Sequence, residues 1–119
     1  MKLEEEIKQN KGFKDEWEKA ILNIIFTGNL INGYQARFLK QYDITPEQYN
    51  ILRILKGQHP EPASVNLLKE RMLNKMSNAS RLVEKLRKKG FVKRDECQQD
   101  RRRVEVCITD EGLALLDRL

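Results

Sequence analysis

The segment Ser77-Asn78-Ala79-Ser80-Arg81-Leu82-Val83-Glu84-Lys85-Leu86-Arg87-Lys88-Lys89-Gly90 reads as a short helix with two unlike faces. Ala79, Leu82, Val83 and Leu86 recur at helical spacing and face inward. Asn78, Arg81, Lys85 and Lys88 line the opposite side, with Ser77 and Ser80 at the exposed N-terminal turn. Ser77 is the expected N-cap. Lys88-Lys89-Gly90 ends the helix with cations at the negative end of the dipole and glycine at C′. Just upstream, Ser64 caps another short helix carrying Val65, Leu68 and Met72. The corner between the two is Leu73-Asn74-Lys75, where Asn74 tolerates a left-handed backbone. Two short helices across such a corner are a helix-turn-helix. Short polar side chains and an arginine at the second helix's N-terminus suit base edges in a major groove, and its free N–H groups suit a phosphate.

The sequence that follows adds a wing. Phe91-Val92-Lys93-Arg94 reads as a strand, and Val104, Val106 and Ile108 alternate with Arg103, Glu105 and Cys107 in a second. The tip, Asp95-Glu96-Cys97-Gln98-Gln99-Asp100-Arg101-Arg102, is polar and carries adjacent arginines. Such a tip suits a narrow minor groove, where negative potential is strongest.

Upstream, Thr45-Pro46-Glu47-Gln48 announces a helix: Thr45 as N-cap, proline at N1 and Gln48 completing a capping box, with Ile44 and Tyr49 as hydrophobic staple. The spacing predicts that it stops at Gly57, before Pro60 and Pro62. The extended Glu61-Pro62-Ala63 can add a short strand. From Phe13 to about Tyr42 a long helix is expected, with Trp17, Ile21, Ile24, Ile31 and Phe38 on an apolar face supported by Ile25, Leu30 and Tyr34. That face is broader than one stripe, so a partner subunit or a central buried position is needed to cover it. Thr109 caps a final helix whose expected apolar face is Leu113, Leu116 and Leu119. The fold class is therefore mainly α with a small β-hairpin (α+β), a winged helix-turn-helix preceded by a long N-terminal helix. Residues 1–43 form an N-terminal helical region, 44–109 the winged domain, and 110–119 the start of a C-terminal helix.

The chain has 119 residues and a net charge of +5, with a pI near 9.3 and a mean hydropathy of −0.68. One domain with its own core is the expectation for this length. The charge is concentrated: Lys69–Arg103 holds 13 basic against 5 acidic residues. Such a stripe is the footprint of a polyanion partner or simply a solvated surface, and the helix-turn-helix with its wing favours the former. Two cysteines and one histidine are too few for a Cys/His zinc site, so no metal or other cofactor is expected. No phosphate-cradling glycine motif occurs, and no catalytic set stands out, so an enzyme is not expected. No apolar run is long enough for a membrane span, and Met1-Lys2-Leu3-Glu4-Glu5-Glu6 has the wrong sign for a secretory leader. A cytoplasmic protein is expected.

From about Ile44 to Leu119, and more loosely over the long first helix, the sequence resembles the MarR-type winged-helix transcriptional regulators. Ser77–Val92 is similar to that family's recognition helix with its Lys-Gly exit. Asp100-Arg101-Arg102-Arg103-Val104-Glu105-Val106-Cys107-Ile108-Thr109-Asp110-Glu111-Gly112 is similar to its Asp-x-Arg wing and the transition that follows. The resemblance implies a dimeric repressor or activator on double-stranded DNA with a pseudopalindromic site. It places Ser77, Asn78, Ser80 and Arg81 at the major groove and its phosphates, beside Lys85 on the same face. It places Arg102 in the minor groove with Asp100 holding it, and Arg101 and Arg103 on the backbone. It also implies a small aromatic effector between the dimer region and the winged domain, for which Trp17, Tyr34, Tyr49 and Arg53 are the candidate lining. Family members continue the last helix and add another that pairs with the first. Here the pattern is still running at Leu119, so either the chain continues or the N-terminal helix carries most of the dimer contact.

Two alternatives stay open at this stage. One is a winged helix that binds protein rather than DNA, since fold alone does not fix function. The other is a thiol-based redox regulator using Cys97, whose arginine neighbours lower a thiol's pKa. Cys97 near the hairpin tip and Cys107 near its base are not expected to form a disulfide.

Overall fold

The computed structural model describes residues 2–7, 12–96 and 104–119. A four-residue helix, α1 (Leu3–Glu6), is joined to the long helix that follows it by the Lys19–Glu4 ion pair at 2.8 Å. The long helix α2 (Glu16–Lys40) begins three residues later than its apolar pattern suggests. Asp15 sets the start, its carboxylate accepting the Glu18 N–H at 2.7 Å. Of the 25 residues of α2, Leu39 alone is buried.

The chain then reverses at Asp43, whose φ is 59°, and enters α3 (Pro46–Gln58). The capping box forms as expected: Gln48 N–H donates to Thr45 Oγ1 at 3.2 Å and Thr45 N–H to Gln48 Oε1 at 3.0 Å. Two orphan backbone donors are satisfied reciprocally. The helix runs through Gly57 rather than stopping there, and His59 is its C-cap. Ile51, Leu52, Ile54 and Leu55 put α3 at the centre of the core.

β1 (Ala63–Ser64), β2 (Val92–Glu96) and β3 (Val104–Ile108) form an antiparallel sheet in the order β1-β3-β2. Its hairpin register pairs Val92 with Ile108 and Glu96 with Val104. Val92, Val106 and Ile108 are buried, the alternation expected of a sheet covered on one side. α4 (Val65–Arg71) starts on the Ser64 hydroxyl, which accepts the Leu67 N–H at 3.1 Å. α5 (Ala79–Lys88) follows the corner and ends at Gly90, whose φ of 82° suits glycine.

The last helix, α6 (Asp110–Arg118), is capped by Thr109 as expected. Its buried centre is different from the expected face. Leu115 and Gly112 are buried, while Leu113, Leu116 and Leu119 pack half-buried around them. A stripe through 113, 116 and 119 and one through 112, 115 and 119 fit helical spacing equally well. Packing of Gly112 against the end of β3 selects the second.

Candidate nucleic-acid interface

α4 and α5 pack through Leu68, Met72, Ala79, Val83 and Leu86, all buried. That packing turns Asn78, Ser80, Arg81, Lys85 and Lys88 outward into solvent and leaves Ser77 half-buried. Five of the expected interface residues, Ser77, Asn78, Ser80, Arg81 and Lys85, therefore lie together along one corner and one helix face. Their roles are not all as expected. The N-cap is Asn78, not Ser77: Asn78 Oδ1 accepts the Arg81 N–H at 3.1 Å. Both residue types cap well, and the corner's geometry chooses between them.

The corner is held by side chains rather than by a left-handed residue. Asn74 has no positive φ; Asp43 is the one non-glycine residue that does among those described. Asn74 Oδ1 accepts the Met76 N–H at 3.0 Å, and its carbonyl accepts the Ser77 N–H at 3.2 Å. From the core side, Leu73 N–H donates to Asn50 Oδ1 at 2.9 Å. Asn50 was not singled out from sequence, although a lone asparagine between Tyr49 and Ile51 on a core helix is a signal that a buried backbone group needs a partner.

The hairpin is joined to α5 by a second feature not read from sequence. Glu84 accepts two hydrogen bonds from Arg87, Nε at 3.0 Å and a terminal nitrogen at 2.7 Å, and one from Arg94 of β2 at 3.3 Å. The Arg87 contact, with Arg94 and Lys88 adding to it, holds the Glu84 carboxyl below the ordinary glutamate range. Just past the last residue of α5, the C-cap Lys89 donates from Nζ to the Asp43 carbonyl and lies 3.6 Å from its carboxylate. The C-terminal half of α5 is thus tied both to β2 and to the turn before α3. Asp100, Arg101, Arg102 and Arg103, expected on the wing, lie outside the described residues, as does Cys97. Cys107 is described: it sits opposite Lys93, and burial pushes its thiol up, away from the reactive range.

The expected effector residues are brought together only in part. Tyr49 and Arg53 line a cleft of about 320 Å³ between α2, α3 and α6, with Phe38, Lys56, Leu116 and Leu119. They also line a wider one of about 790 Å³ that reaches the corner at Leu73–Lys75. Trp17 and Tyr34 line neither cleft. They stand out from α2 at 74% and 60% exposure, and Tyr34 carries Arg37 over its ring at 4.7 Å. Phe38 and Lys56 take their places. Sequence periodicity put Trp17, Tyr34 and Phe38 on one helix without saying which turn of it meets α3.

No group of three or more metal-ligating side chains occurs among the described residues. No helix there is long and apolar enough to cross a membrane.

Comparison with known proteins agrees with this architecture. The chain is 27% identical over 89 residues to the HTH-type transcriptional regulator PapX of Escherichia coli, covering 75% of this chain and 54% of PapX. It is 30% identical over 96 residues to the HTH-type transcriptional regulator SarZ of Staphylococcus aureus, covering 81% of this chain and 63% of SarZ. The chain thus spans somewhat over half the length of these curated relatives. Among solved structures, a MarR transcription factor from Planctomyces limnophilus superposes with a TM-score of 0.78 at 30% identity, covering 91% of this chain and 78% of that one. The MarR family's sequence model matches residues 42–103, the span from the turn before α3 into the wing. The chain belongs to the MarR family.

Proposed function

We propose that the chain is a sequence-specific DNA-binding transcriptional regulator acting in the cytoplasm as a homodimer on a pseudopalindromic site. Residues 44–109 bind DNA, and residues 1–43 with 110–119 dimerise. α5 enters the major groove with Asn78, Ser80 and Arg81 at base edges and Ser77 and Lys85 at the backbone. Arg102, braced by Asp100, reaches the minor groove, and Arg101 and Arg103 contact phosphates. The observation that carries this reading is the outward polar and cationic face of α5, pinned by Glu84 to the strand that leads into the wing. The names of the relatives, transcriptional regulators of the helix-turn-helix type, support it. A small aromatic anion is the effector class that the cleft of Phe38, Tyr49, Arg53 and Lys56 suits, two cations beside two rings.

The test is binding to duplexes selected from random DNA, measured by gel shift across a salt series. Neutralising ~6–10 phosphates predicts a loss of roughly 10³–10⁵-fold between 50 and 200 mM salt. Arg102→Ala weakens binding by about 1–3 kcal/mol per subunit if it reads the groove. Unchanged affinity in that variant refutes the wing assignment, and absence of duplex binding at low salt refutes the whole reading.

A further inference from the structure

Two large apolar side chains stand almost wholly in solvent in the corner before α5: Leu73 at 83% exposure and Met76 at 92%. The exposed apolar residues of α2 belong to one long face, but these two do not. Met76 is surrounded in sequence by Lys75, Asn78, Ser80 and Arg81, all exposed and polar. Its backbone is fixed, because its N–H is held by Asn74 Oδ1 and the next N–H by the Asn74 carbonyl. Only the side chain is free to adapt. Met76 also stands two residues ahead of the Asn78 cap, at the leading end of the helix.

A helix that enters a major groove N-terminus first brings this end closest to the base edges. Among the groups that unmodified duplex DNA displays there, the thymine C5-methyl is the apolar one. An unbranched, polarizable thioether packs on a methyl without demanding one geometry. We infer that Met76 is a specificity-determining residue that packs on the C5-methyl of one thymine in each half-site. This rests on α5 being the groove-reading helix. It goes further by assigning base preference to an apolar contact just outside that helix. Leu73, on the α4 side of the corner, makes no such contact.

The experiment uses the full chain and duplexes selected from random DNA, with each thymine replaced singly by deoxyuridine, which lacks only the methyl group. Wild type loses about fourfold in affinity at one thymine per half-site, the value of one buried methyl. Met76→Ala binds thymine and deoxyuridine equally at that position and responds as wild type elsewhere. Leu73→Ala keeps the wild-type discrimination. Both side chains are exposed, so circular dichroism should report an unchanged fold. Wild-type indifference to every deoxyuridine overturns the inference while leaving DNA binding intact. So does a Met76→Ala variant that still loses affinity at the same position. Failure to select any duplex at low salt overturns both readings together.

Discussion

At Gly112, in the first turn of α6, an added Cβ would lie 2.7 Å from Ile108 Cγ1 and against the Phe91 carbonyl oxygen. That carbonyl already accepts the Thr109 N–H at 3.1 Å, so it is not free to retreat. Gly112→Ala is therefore expected to destabilise the fold by about 1–3 kcal/mol, the usual cost of overpacking. Urea unfolding of the two proteins checks this, and an unchanged midpoint would contradict the close approach. The sequence alone could place Gly112 three residues after the Thr109 cap but could not show what it packs against. The same division runs through the other single residues. Thr45, Ser64 and Thr109 were legible as caps because capping is settled within four residues of chain. Asn78 was not separated from Ser77, because both satisfy the local rule. Asn50 was missed because its partner, the Leu73 N–H, is 23 residues away.

Elements were easier to read than their junctions. Helical periodicity found the helix of Ser77–Gly90 and the strand alternation found β3, since each pattern repeats within its own segment. The join between α5 and β2 is different in kind, because Glu84 and Arg94 come together only when the chain turns at Gly90 and β2 runs back beside α5. Its strength should depend on pH in a defined direction. Glu84 has a lowered folded-state pKa, so its contribution is fully present above the ordinary glutamate value of about 4.3 and is lost as pH falls through the lowered one. Wild type should accordingly melt above Glu84→Gln at pH 7, with the gap closing as the pH is taken toward 3. A gap that stays constant over that range would mean that the ion pairs are not what the substitution removes.

At the scale of the molecule, the shape carries the argument. The radius of gyration is 18.5 Å, against about 13–14 Å for a compact chain of this length. The 60 Å long axis reflects α2, a helix about 37 Å long that meets the winged domain near its C-terminal end, where Leu39 is buried. Trp17, Ile24, Ile31 and Phe38 recur every seven residues along it, and Ile24 is 73% exposed. A seven-residue apolar repeat is the seam of one helix against another, and the six described helices leave that seam uncovered. The breadth of the apolar face was legible in the sequence, which left open whether other parts of the chain or a second chain would cover it. The winged domain turns out to spend its own apolar surface on α3 and the sheet. A second copy laying its α2 along the first is the occupant that the repeat fits. Ile24→Glu with Ile31→Glu should then convert a species of twice the 14.1 kDa chain mass into single chains in sedimentation equilibrium. These positions are exposed in the isolated chain, so the variant should keep its helix content. Its DNA affinity should fall by roughly 10²–10⁴-fold, because two linked half-sites become two independent ones. Wild type sedimenting as single chains at micromolar concentration would instead mean that the seam belongs to some other partner.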